Sequence, residues 1–315
     1  MNFLYCFDSK YNQQAFNSIS SILRVVSEKH NFYIIYRKPK TFNHYLESLK
    51  KADHNFEIYE FQNNYGTFPR VFNTHVSEAT YYRLFIHEYL PKDLDYITYV
   101  DADIVCLNDP IKNVSLHINR LKESSKTIAV RTEEDGNLEY IERLSLNQSK
   151  YFNAGVMIID FKKWQKLTYE NKFINNLNST YDKVLWWDQD ILNVTFDGNY
   201  VELDINLNFP IHEENTFSKE EIIKSVNFLH YQGKHKPWSV SSFLKSHSAF
   251  YQDQFKLINN HNYHLVINKP FKDIYIFINI VHVFFYTSFN CCRLFFNFLC
   301  HKMFKITFVI TRFIR

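Results

Sequence analysis

The sequence predicts an α/β protein in which a mostly parallel sheet is flanked by helices. Apolar runs of strand length alternate along the chain with stretches whose apolar residues recur at helical spacing, as in sheets built with helical crossovers. The uncharged run 96–100 (YITYV) is typical of a strand buried on both faces, and it ends abruptly at Asp101. The 315 residues are enough for one large domain or two small ones.

Each predicted element rests on its local pattern. The first strand is the apolar run 2–7, and helix 11–28 carries apolar residues on one face (Phe16, Ile19, Ile22, Leu23 and Val26). Strands 31–36 and 56–61 enclose a helical segment near 42–49, and another helix begins near residue 74 and ends at 89. After strand 96–100, further strands are predicted at 127–131, 152–159, 200–203 and 226–230, with helices between them. Because no repeat or linker interrupts this pattern, we predict one domain at 1–265 and a separate tail at 266–315.

Glycine is scarce, and its scarcity excludes two kinds of nucleotide site. Average usage of ~7% predicts about 22 glycines, whereas the chain has only Gly66, Gly136, Gly155, Gly198 and Gly233. Phosphate-binding loops of the G-x-G-x-x-G and G-x-x-x-x-G-K types need closely spaced glycines, so classical dinucleotide binding and P-loop chemistry are excluded. The 31 Phe and 22 Tyr residues indicate an aromatic, packed core and argue against disorder.

The net charge of +3 is unevenly distributed. Five of the 36 basic residues lie in 274–315, which contains no acid, so the preceding part holds 31 basic against 33 acidic residues. A body of this charge predicts no nucleic-acid partner. The five cysteines form no C-x-x-C pair and are odd in number, which favours free thiols in a reducing compartment. Because the start MNFLYCFDSK also lacks signal-peptide features, we expect a cytoplasmic protein.

A carboxylate pair follows the buried strand 96–100. Asp101 and Asp103 are spaced i, i+2, and in extended backbone both side chains would leave the strand on the same side. Open α/β sheets bind ligands at the carboxyl ends of their strands, and carboxylate oxygens suit Mg²⁺ or Mn²⁺. The D-x-D spacing alone is weak evidence, because 93/95 and 188/190 repeat it, and taken alone such a pair is more often a solvated turn or cap.

A phosphohydrolase is one alternative. Phosphohydrolases of the haloacid dehalogenase type carry D-x-D-x-[TV] after an apolar strand, and Asp101, Asp103 and Val105 fit that string. In that fold the motif normally closes the first strand, whereas about three strands precede it here. The chain also has no later Gly-Asp-x-x-x-Asp to complete an Mg²⁺ site.

Five segments in order and spacing carry a more specific resemblance. They are THVSEATYYRLFIHEYL (74–90), YVDADIV (99–105), YFNAGVMIIDF (151–161), WDQDILN (187–193) and HYQGKHKPW (230–238). Together they resemble glycosyltransferase family 8, above all bacterial galactosyl- and glucosyltransferases of the lipopolysaccharide or lipooligosaccharide core. The resemblance covers residues 1 to about 240. It implies a nucleotide-sugar-binding domain of the GT-A fold that transfers a hexose from UDP-galactose or UDP-glucose with retention, using Mn²⁺ or Mg²⁺.

The resemblance also implies a set of donor-binding residues. Asp101, Asp103 and His230 match the metal ligands, and an imidazole ligand shifts the preference toward Mn²⁺. Taken alone, His230 would be a core or rim residue as readily as a ligand. The other matching positions for the nucleotide and the sugar subsite are Asp8, His75, Ala102, Asn153, Ala154, Gly155, Gly233 and Lys236.

The resemblance implies a specific role for several of these positions. Lys236 corresponds to the lysine that reaches the diphosphate, and Asp8 corresponds to the contact at the uracil end, although Lys10 replaces the usual Asn two residues later. His75 matches a residue at the donor phosphate and acceptor side, and it could alternatively cap a helix start. Because Gly155 is one of few glycines, its backbone is expected to approach another group closely.

Three residues are predicted to act on the transferred hexose. Arg83 matches the arginine that holds the donor sugar, with a helix pair to His87 as the alternative. Asp188 is expected to accept hydrogen bonds from sugar hydroxyls, and the Gln189 amide to lie near the anomeric carbon, with Asp190 behind them. The alternative for these acids is a helix N-terminus that favours negative charge in its first turn.

Retention by double displacement would need a carboxylate nucleophile, but the matching position holds the neutral amide of Gln189. We therefore favour a front-face route in which the acceptor hydroxyl enters as UDP leaves. Acceptor contacts depart from the family, because Thr132 stands where close relatives have an acid and Glu133 follows it.

The tail 266–315 is basic and aromatic. Residues 274–292 carry no formal charge over 19 positions, but Asn279, His282, Thr287, Ser288 and Asn290 argue against a bilayer span. Beyond residue 293, basic and apolar residues separate onto opposite sides of a helix, a composition typical of interfacial anchors on anionic lipid. A transmembrane helix or a surface packed on the body or on a second copy are the alternatives.

These observations together predict a metal-dependent, retaining UDP-hexose transferase, with residues 1–265 as the catalytic domain. It would be peripheral on the inner face of the cell membrane, and its acceptor would be a lipid-linked core saccharide. A non-catalytic membrane-bound sugar-nucleotide sensor is the remaining alternative.

Overall fold

The computed structural model describes residues 1–69, 77–133, 137–211, 217–243, 245–267, 272–273 and 275–278. The chain divides into two compact units. The first consists of Met1–Phe209 with Ser218–His230, and the second of Pro210–Phe217 with Tyr231–Arg315. The boundary predicted near residue 265, between the catalytic domain and the tail, was based on composition, and it remains a prediction. None of the helices in the described ranges is long and apolar enough to cross a membrane.

The strands of the described residues are β1 (Asn2–Phe7), β2 (Asn31–Tyr36), β3 (Asn55–Glu60), β4 (Tyr96–Val100), β5 (Ile104–Cys106), β6 (Ile128–Thr132), β7 (Phe152–Asp160), β8 (Val201–Glu202), β9 (Phe209–Pro210) and β10 (Phe228–His230). The α-helices are α1 (Asn12–Val25), α2 (Asn43–Leu49), α3 (Ile111–Lys122), α4 (Asn137–Leu144), α5 (Phe161–Tyr169), α6 (Lys172–Thr180), α7 (Trp187–Phe196), α8 (Lys219–Ser225) and α9 (Ala249–Ile258). 3-10 helices lie at Ser9–Tyr11, Pro39–Phe42, Glu78–Glu88, Tyr181–Lys183, Ile205–Leu207 and Ser246–Ser248, and the long one at Glu78–Glu88 is kinked at Phe85.

The main sheet has seven strands in the order β3-β2-β1-β4-β7-β6-β8. β1 pairs in parallel with β2 and β4, β2 with β3, and β6 with β8, whereas β7 is antiparallel to both β4 and β6. The predicted mostly parallel sheet flanked by helices is therefore confirmed. Because β7 is the one reversed strand of this sheet, its first residues lie beside the last residues of β1, β4 and β6, at the same end of the strands.

Burial explains which segments form which strands. β1, β2 and β4 are buried from their second residue onward and β7 along all nine residues, as expected for near-continuous apolar runs in the middle of a sheet. β3 is one of the two edge strands, and it exposes glutamates that discourage pairing with another chain. On α1 the buried Ala15, Ile19 and Ile22 recur at helical spacing and join the apolar cluster of β1 and β2.

Several predicted boundaries moved by a few residues. The helix predicted from residue 74 is a 3-10 helix at Glu78–Glu88 capped by Ser77, and 70–76 lie outside the described residues. The last two predicted strands are shorter, at Val201–Glu202 and Phe228–His230. β5 and β9 were not predicted, and with β10 they form a second, three-stranded sheet in the order β5-β10-β9.

Candidate active site

The D-x-D residues lie in a turn between β4 and β5. The Asp101 N–H donates to the Gly155 carbonyl of β7 (2.8 Å), and the Ile104 N–H donates to the Asp101 carbonyl (3.3 Å). The expectation that both side chains leave an extended strand on one side was therefore wrong. The turn keeps the two carboxylates together because only three residues separate β4 from β5, with Ala102 buried between them.

Strand β10 brings His230 to this turn. It pairs antiparallel with β5 so that His230 lies opposite Ile104, the residue after Asp103. The His230 Nε2 atom lies 3.3 Å from Asp103 Oδ1, and one ligand atom from each of Asp101, Asp103 and His230 falls within 4.8 Å of the others. Among the described residues no other three side chains of this kind form such a group.

Gly155 is a glycine because the His230 ring lies against its α-carbon. A Cβ at this position would be 2.6 Å from His230 Nδ1 and closer still to Cε1. The predicted close approach of the Gly155 backbone to another group is confirmed, and that group is the imidazole. The requirement is steric, because Gly155 does not have a positive φ angle.

Arg83 connects three predicted site residues. Its Nε lies 2.6 Å from Asp188 Oδ2, and its NH1 donates to the Ala154 carbonyl (2.6 Å) and lies 3.6 Å from Asp101 Oδ1. The guanidinium also lies over the Tyr99 ring, 4.3 Å from its centre. These contacts, and not the alternative pairing with His87, hold the buried arginine.

Three acidic side chains lie at this place. Burial raises the pKa of Asp101, and it raises the pKa of Asp188 to about 7, although the Arg83 guanidinium opposes both shifts. Asp103 adds a third carboxylate whose side chain is only 12% exposed. Asp101 and Asp103 supply carboxylate oxygens and His230 supplies an imidazole nitrogen, a donor set that suits a divalent cation, so the residues fit the expected metal.

The start of α7 carries the two residues predicted to face the hexose. Trp187 has a φ of +47°, an unusual conformation for a bulky residue, directly before Asp188. Asp190 holds this turn: it is fully buried, pairs with both terminal nitrogens of Arg143 (2.9 and 3.0 Å), and accepts from the Leu185 and Trp186 N–H groups.

The Gln189 amide is oriented by two partners. Its Oε1 accepts from the Ala154 N–H (3.0 Å), and its Nε2 donates to the Tyr151 hydroxyl (3.2 Å), which itself donates to Asp190 (2.7 Å). The first turn of α7 does contain favourable acids, but both are engaged in tertiary contacts, so the simple helix-terminus interpretation is incomplete.

The remaining predicted positions fall into three groups. Asp8 caps the 3-10 helix at Ser9–Tyr11 by accepting from the Lys10 N–H (2.9 Å). Gly233 (φ +68°) and Lys236 belong to the second unit, where the buried Lys236 Nζ donates to the Tyr231 carbonyl (2.6 Å). His75 lies outside the described residues.

Thr132, which stands where close relatives have an acid, lies beside two glutamates. The Thr132 hydroxyl and N–H both donate to the Glu202 carboxylate (2.6 and 2.7 Å), while Glu133 accepts from the Asn153 amide (2.9 Å). Two acids thus lie at this strand end without occupying position 132.

Three residues that sequence reasoning missed organise the site. The Tyr99 hydroxyl donates to Asp101 Oδ1 (2.6 Å), and Asn208 contacts the His230 ring (2.9 Å). Asn193 clamps α7 to β7 by bonding both the N–H and the carbonyl of Phe152 (2.8 and 3.0 Å). Only Tyr99 and Asn193 lie inside the five matching segments, and no pattern marks any of the three as different from an ordinary core residue.

The fold and this edge of the sheet define a glycosyltransferase of the GT-A type. The chain belongs to glycosyl transferase family 8, whose profile matches residues 2–241. It is 31% identical over 171 residues to lipopolysaccharide 1,2-glucosyltransferase of Escherichia coli K12, and 29% identical over 174 residues to lipopolysaccharide 1,3-galactosyltransferase of Salmonella typhimurium. Each alignment covers 51% of this chain and 49% of the relative, so the chain spans about half the length of these relatives.

A solved structure shows the same fold. The galactosyltransferase LgtC, in complex with donor and acceptor sugar analogs, matches with a TM-score of 0.65 and 19% identity, over 87% of this chain and 100% of that chain. The predicted GT-A fold is thereby confirmed, and the profile match confirms the predicted family. Neither the phosphohydrolase nor the sensor interpretation receives support from these comparisons.

Proposed function

We propose that the protein transfers a hexose from UDP-galactose or UDP-glucose to a saccharide of the lipopolysaccharide or lipooligosaccharide core, with a divalent cation and with retention. The observation that carries this proposal is the group formed by Asp101, Asp103 and His230, whose ligand atoms lie within 4.8 Å of one another. Bonds of about 2.1 Å to one ion reach atoms up to about 4.2 Å apart, so small side-chain rotations suffice for all three to bind it. The names of the two relatives support the acceptor class.

The three ligands would hold Mn²⁺ or Mg²⁺ against the diphosphate. When bound, the cation would act as a Lewis acid and neutralise the charge that develops on UDP as the sugar–phosphate bond breaks. Lys236 would add a point charge on the diphosphate, and Asp8 would contact the uracil end. Arg83 would favour the ionised form of Asp188 and direct it at the sugar hydroxyls, since the two side chains are buried together and the guanidinium opposes the rise in pKa that burial causes.

Both carboxylates that flank Gln189 are already engaged, which supports a front-face route. Asp188 is paired with Arg83, and Asp190 accepts five hydrogen bonds from other groups. Neither is therefore placed as a free nucleophile for a double displacement. The acceptor hydroxyl would attack from the side on which UDP leaves, and a phosphate oxygen of UDP would take its proton. Gln189 would stabilise the oxocarbenium-like centre electrostatically.

Donor turnover tests this proposal directly. The purified protein is incubated with UDP-galactose or UDP-glucose, Mn²⁺ and a core oligosaccharide, and free UDP and the anomeric configuration of the product are measured. We expect UDP release that depends on acceptor, and an α-linked product from the α-linked donor. Donor binding without turnover on any core acceptor would favour the sensor, and phosphate release from a phosphate ester would favour the hydrolase.

The role of Gln189 has its own test. Gln189→Ala should lower kcat by more than about 10-fold while the donor KM stays within a few-fold, because the lost interaction acts mainly in the transition state. Gln62→Ala, at an exposed glutamine, is the matched control. A kcat within a few-fold of the parent would remove that role.

We also propose that the tail 266–315 holds the enzyme on the cytoplasmic face of the membrane. Its composition supports this, and most of it lies outside the described residues. The full chain should co-sediment with phosphatidylglycerol vesicles but not with phosphatidylcholine vesicles, and added salt should release it. Equal binding to both vesicle types would contradict an electrostatic anchor.

A further inference from the structure

The two nitrogens of the His230 ring face different neighbours. Nε2 faces Asp103 Oδ1 (3.3 Å), and Nδ1 faces Asn208 Oδ1 (2.9 Å). Both side chains of the second pair are buried, with Asn208 fully enclosed and His230 4% exposed. A neutral imidazole carries a proton on only one nitrogen, so the neighbour of Nδ1 decides which nitrogen can bind a metal.

The hydrogen-bond network fixes the amide of Asn153 first. Its Oδ1 accepts from the Gly155 backbone N–H (2.9 Å), a group that can only donate. Its Nδ2 donates to the Glu133 carboxylate (2.9 Å), which in its ionised form can only accept. The opposite orientation of this amide would lose both bonds.

Asn153 in turn fixes Asn208. Asn208 Nδ2 donates to Asn153 Oδ1 (3.0 Å), so the Asn208 oxygen is the atom that faces His230. An oxygen at 2.9 Å requires a proton on Nδ1. In the neutral ring the Nε2 lone pair then points towards Asp103 Oδ1, 3.3 Å away, which is the side from which a cation held by that carboxylate would be bound.

We propose that Asn208 is a positioning residue that holds His230 in the Nδ1–H form, so that Nε2 is presented as a metal ligand. The chain of contacts from Glu133 through Asn153 to Asn208 transmits the orientation, and Gly155 supports the ring face. This inference rests on the proposed metal-dependent transfer. Hydrogen bonds to the second nitrogen of a ligating histidine commonly control tautomer and affinity.

The tautomer can be observed without metal or substrate. In long-range ¹H–¹⁵N spectra of the apo-protein at mildly alkaline pH, His230 should show the Nδ1–H pattern, with its signals assigned from their loss in His230→Gln. Asn208→Leu, of similar volume but without polar atoms, should shift His230 toward the Nε2–H form that predominates for free histidine. Asn208→Asp keeps an acceptor for Nδ1–H and should retain the parent tautomer.

Metal affinity provides the second measurement. Free Mn²⁺ is followed by its electron paramagnetic resonance signal during titration of each variant. Asn208→Leu should weaken Mn²⁺ binding by about 10- to 100-fold. Asn227→Leu is the matched control, because Asn227 is equally a buried, hydrogen-bonded asparagine, but its partners are Asp109 and Asn113. It should lose stability while leaving the tautomer and Mn²⁺ affinity unchanged.

The outcomes separate this inference from the proposed function. An unchanged tautomer and unchanged Mn²⁺ affinity in Asn208→Leu would overturn the role of Asn208, even in an active metal-dependent enzyme. A parent protein that binds no Mn²⁺ would overturn the proposed function, whatever the tautomer. If Asn208→Leu does not fold, Asn208→Ser, whose side chain is too short to reach Nδ1, gives the same comparison.

Discussion

Replacing Gly155 by alanine should disable the candidate metal site through sterics alone. The added Cβ would lie 2.6 Å from His230 Nδ1, whereas non-bonded heavy atoms prefer about 3.5–4.0 Å. The ring must therefore move by about 1 Å or more, since the β7 backbone is held by strands on both sides. A shift of this size stretches the 2.9 Å bond between Nδ1 and Asn208 Oδ1 beyond hydrogen-bonding distance.

The cost follows from two contributions. Overpacking a filled core costs roughly 1–3 kcal/mol, and a buried polar group left without its partner costs about 1–3 kcal/mol more. We therefore expect Gly155→Ala to lower the free energy of unfolding by roughly 2–6 kcal/mol and to weaken Mn²⁺ binding by at least about 10-fold.

Urea denaturation and Mn²⁺ titration measure the two effects of Gly155→Ala. Gly66→Ala is the control: its φ of +83° also disfavours alanine, but an added Cβ would meet nothing within 4 Å. That variant should lose about 1 kcal/mol and keep its Mn²⁺ affinity. If Gly155→Ala is as stable as Gly66→Ala and binds Mn²⁺ normally, the contact between Gly155 and His230 does not constrain the site.

Three further predictions concern neighbouring groups. Tyr99→Phe keeps the ring under the arginine but removes the hydrogen bond to Asp101, so Mn²⁺ binding measured by titration should weaken about 10-fold with unchanged circular dichroism; parental affinity would contradict this. Asp190→Asn breaks a buried ion pair with Arg143 and should cost roughly 3–5 kcal/mol in urea denaturation; a cost below about 1 kcal/mol would show that the pair does not hold the turn. Burial lowers the pKa of His264 to about 3, so the unfolded state takes up the proton first and stability is lost as pH falls below about 6.5. By pH 5 this loss should reach roughly 2 kcal/mol, and His264→Gln should flatten that part of the stability profile; an unchanged profile would exclude His264 as its source.

Strong local patterns in the sequence were enough to predict the positions of the central strands. The strands predicted at 2–7, 31–36 and 96–100 coincide with β1, β2 and β4, because a strand buried on both faces reads as a continuous apolar run. The three-residue β5 and the two-residue β9 were missed because they are too short to show any period. The reversal of β7 could not be predicted either, since a strand's burial pattern is the same in both directions.

The residues of the candidate site also differ in whether a local sequence pattern could predict them. Asp101, Asp103 and His230 were predicted from spacing and resemblance, and the structure brings them together. Asn208 was missed because a single asparagine outside the matching segments carries no signal, and its importance depends on a contact between distant strands. The turn at the carboxylates was misjudged because a strand pattern does not reveal where the chain reverses.

The metal requirement is tested most directly by UDP release from donor and core acceptor in the presence of EDTA, followed by addition of Mn²⁺. Asp101, Asp103 and His230 are proposed to bind one cation that is needed for departure of UDP. Chelation should therefore lower turnover by about 100-fold or more, corresponding to about 3 kcal/mol or more of transition-state stabilisation, and Mn²⁺ should restore it. Full turnover in EDTA would contradict the metal-dependent mechanism.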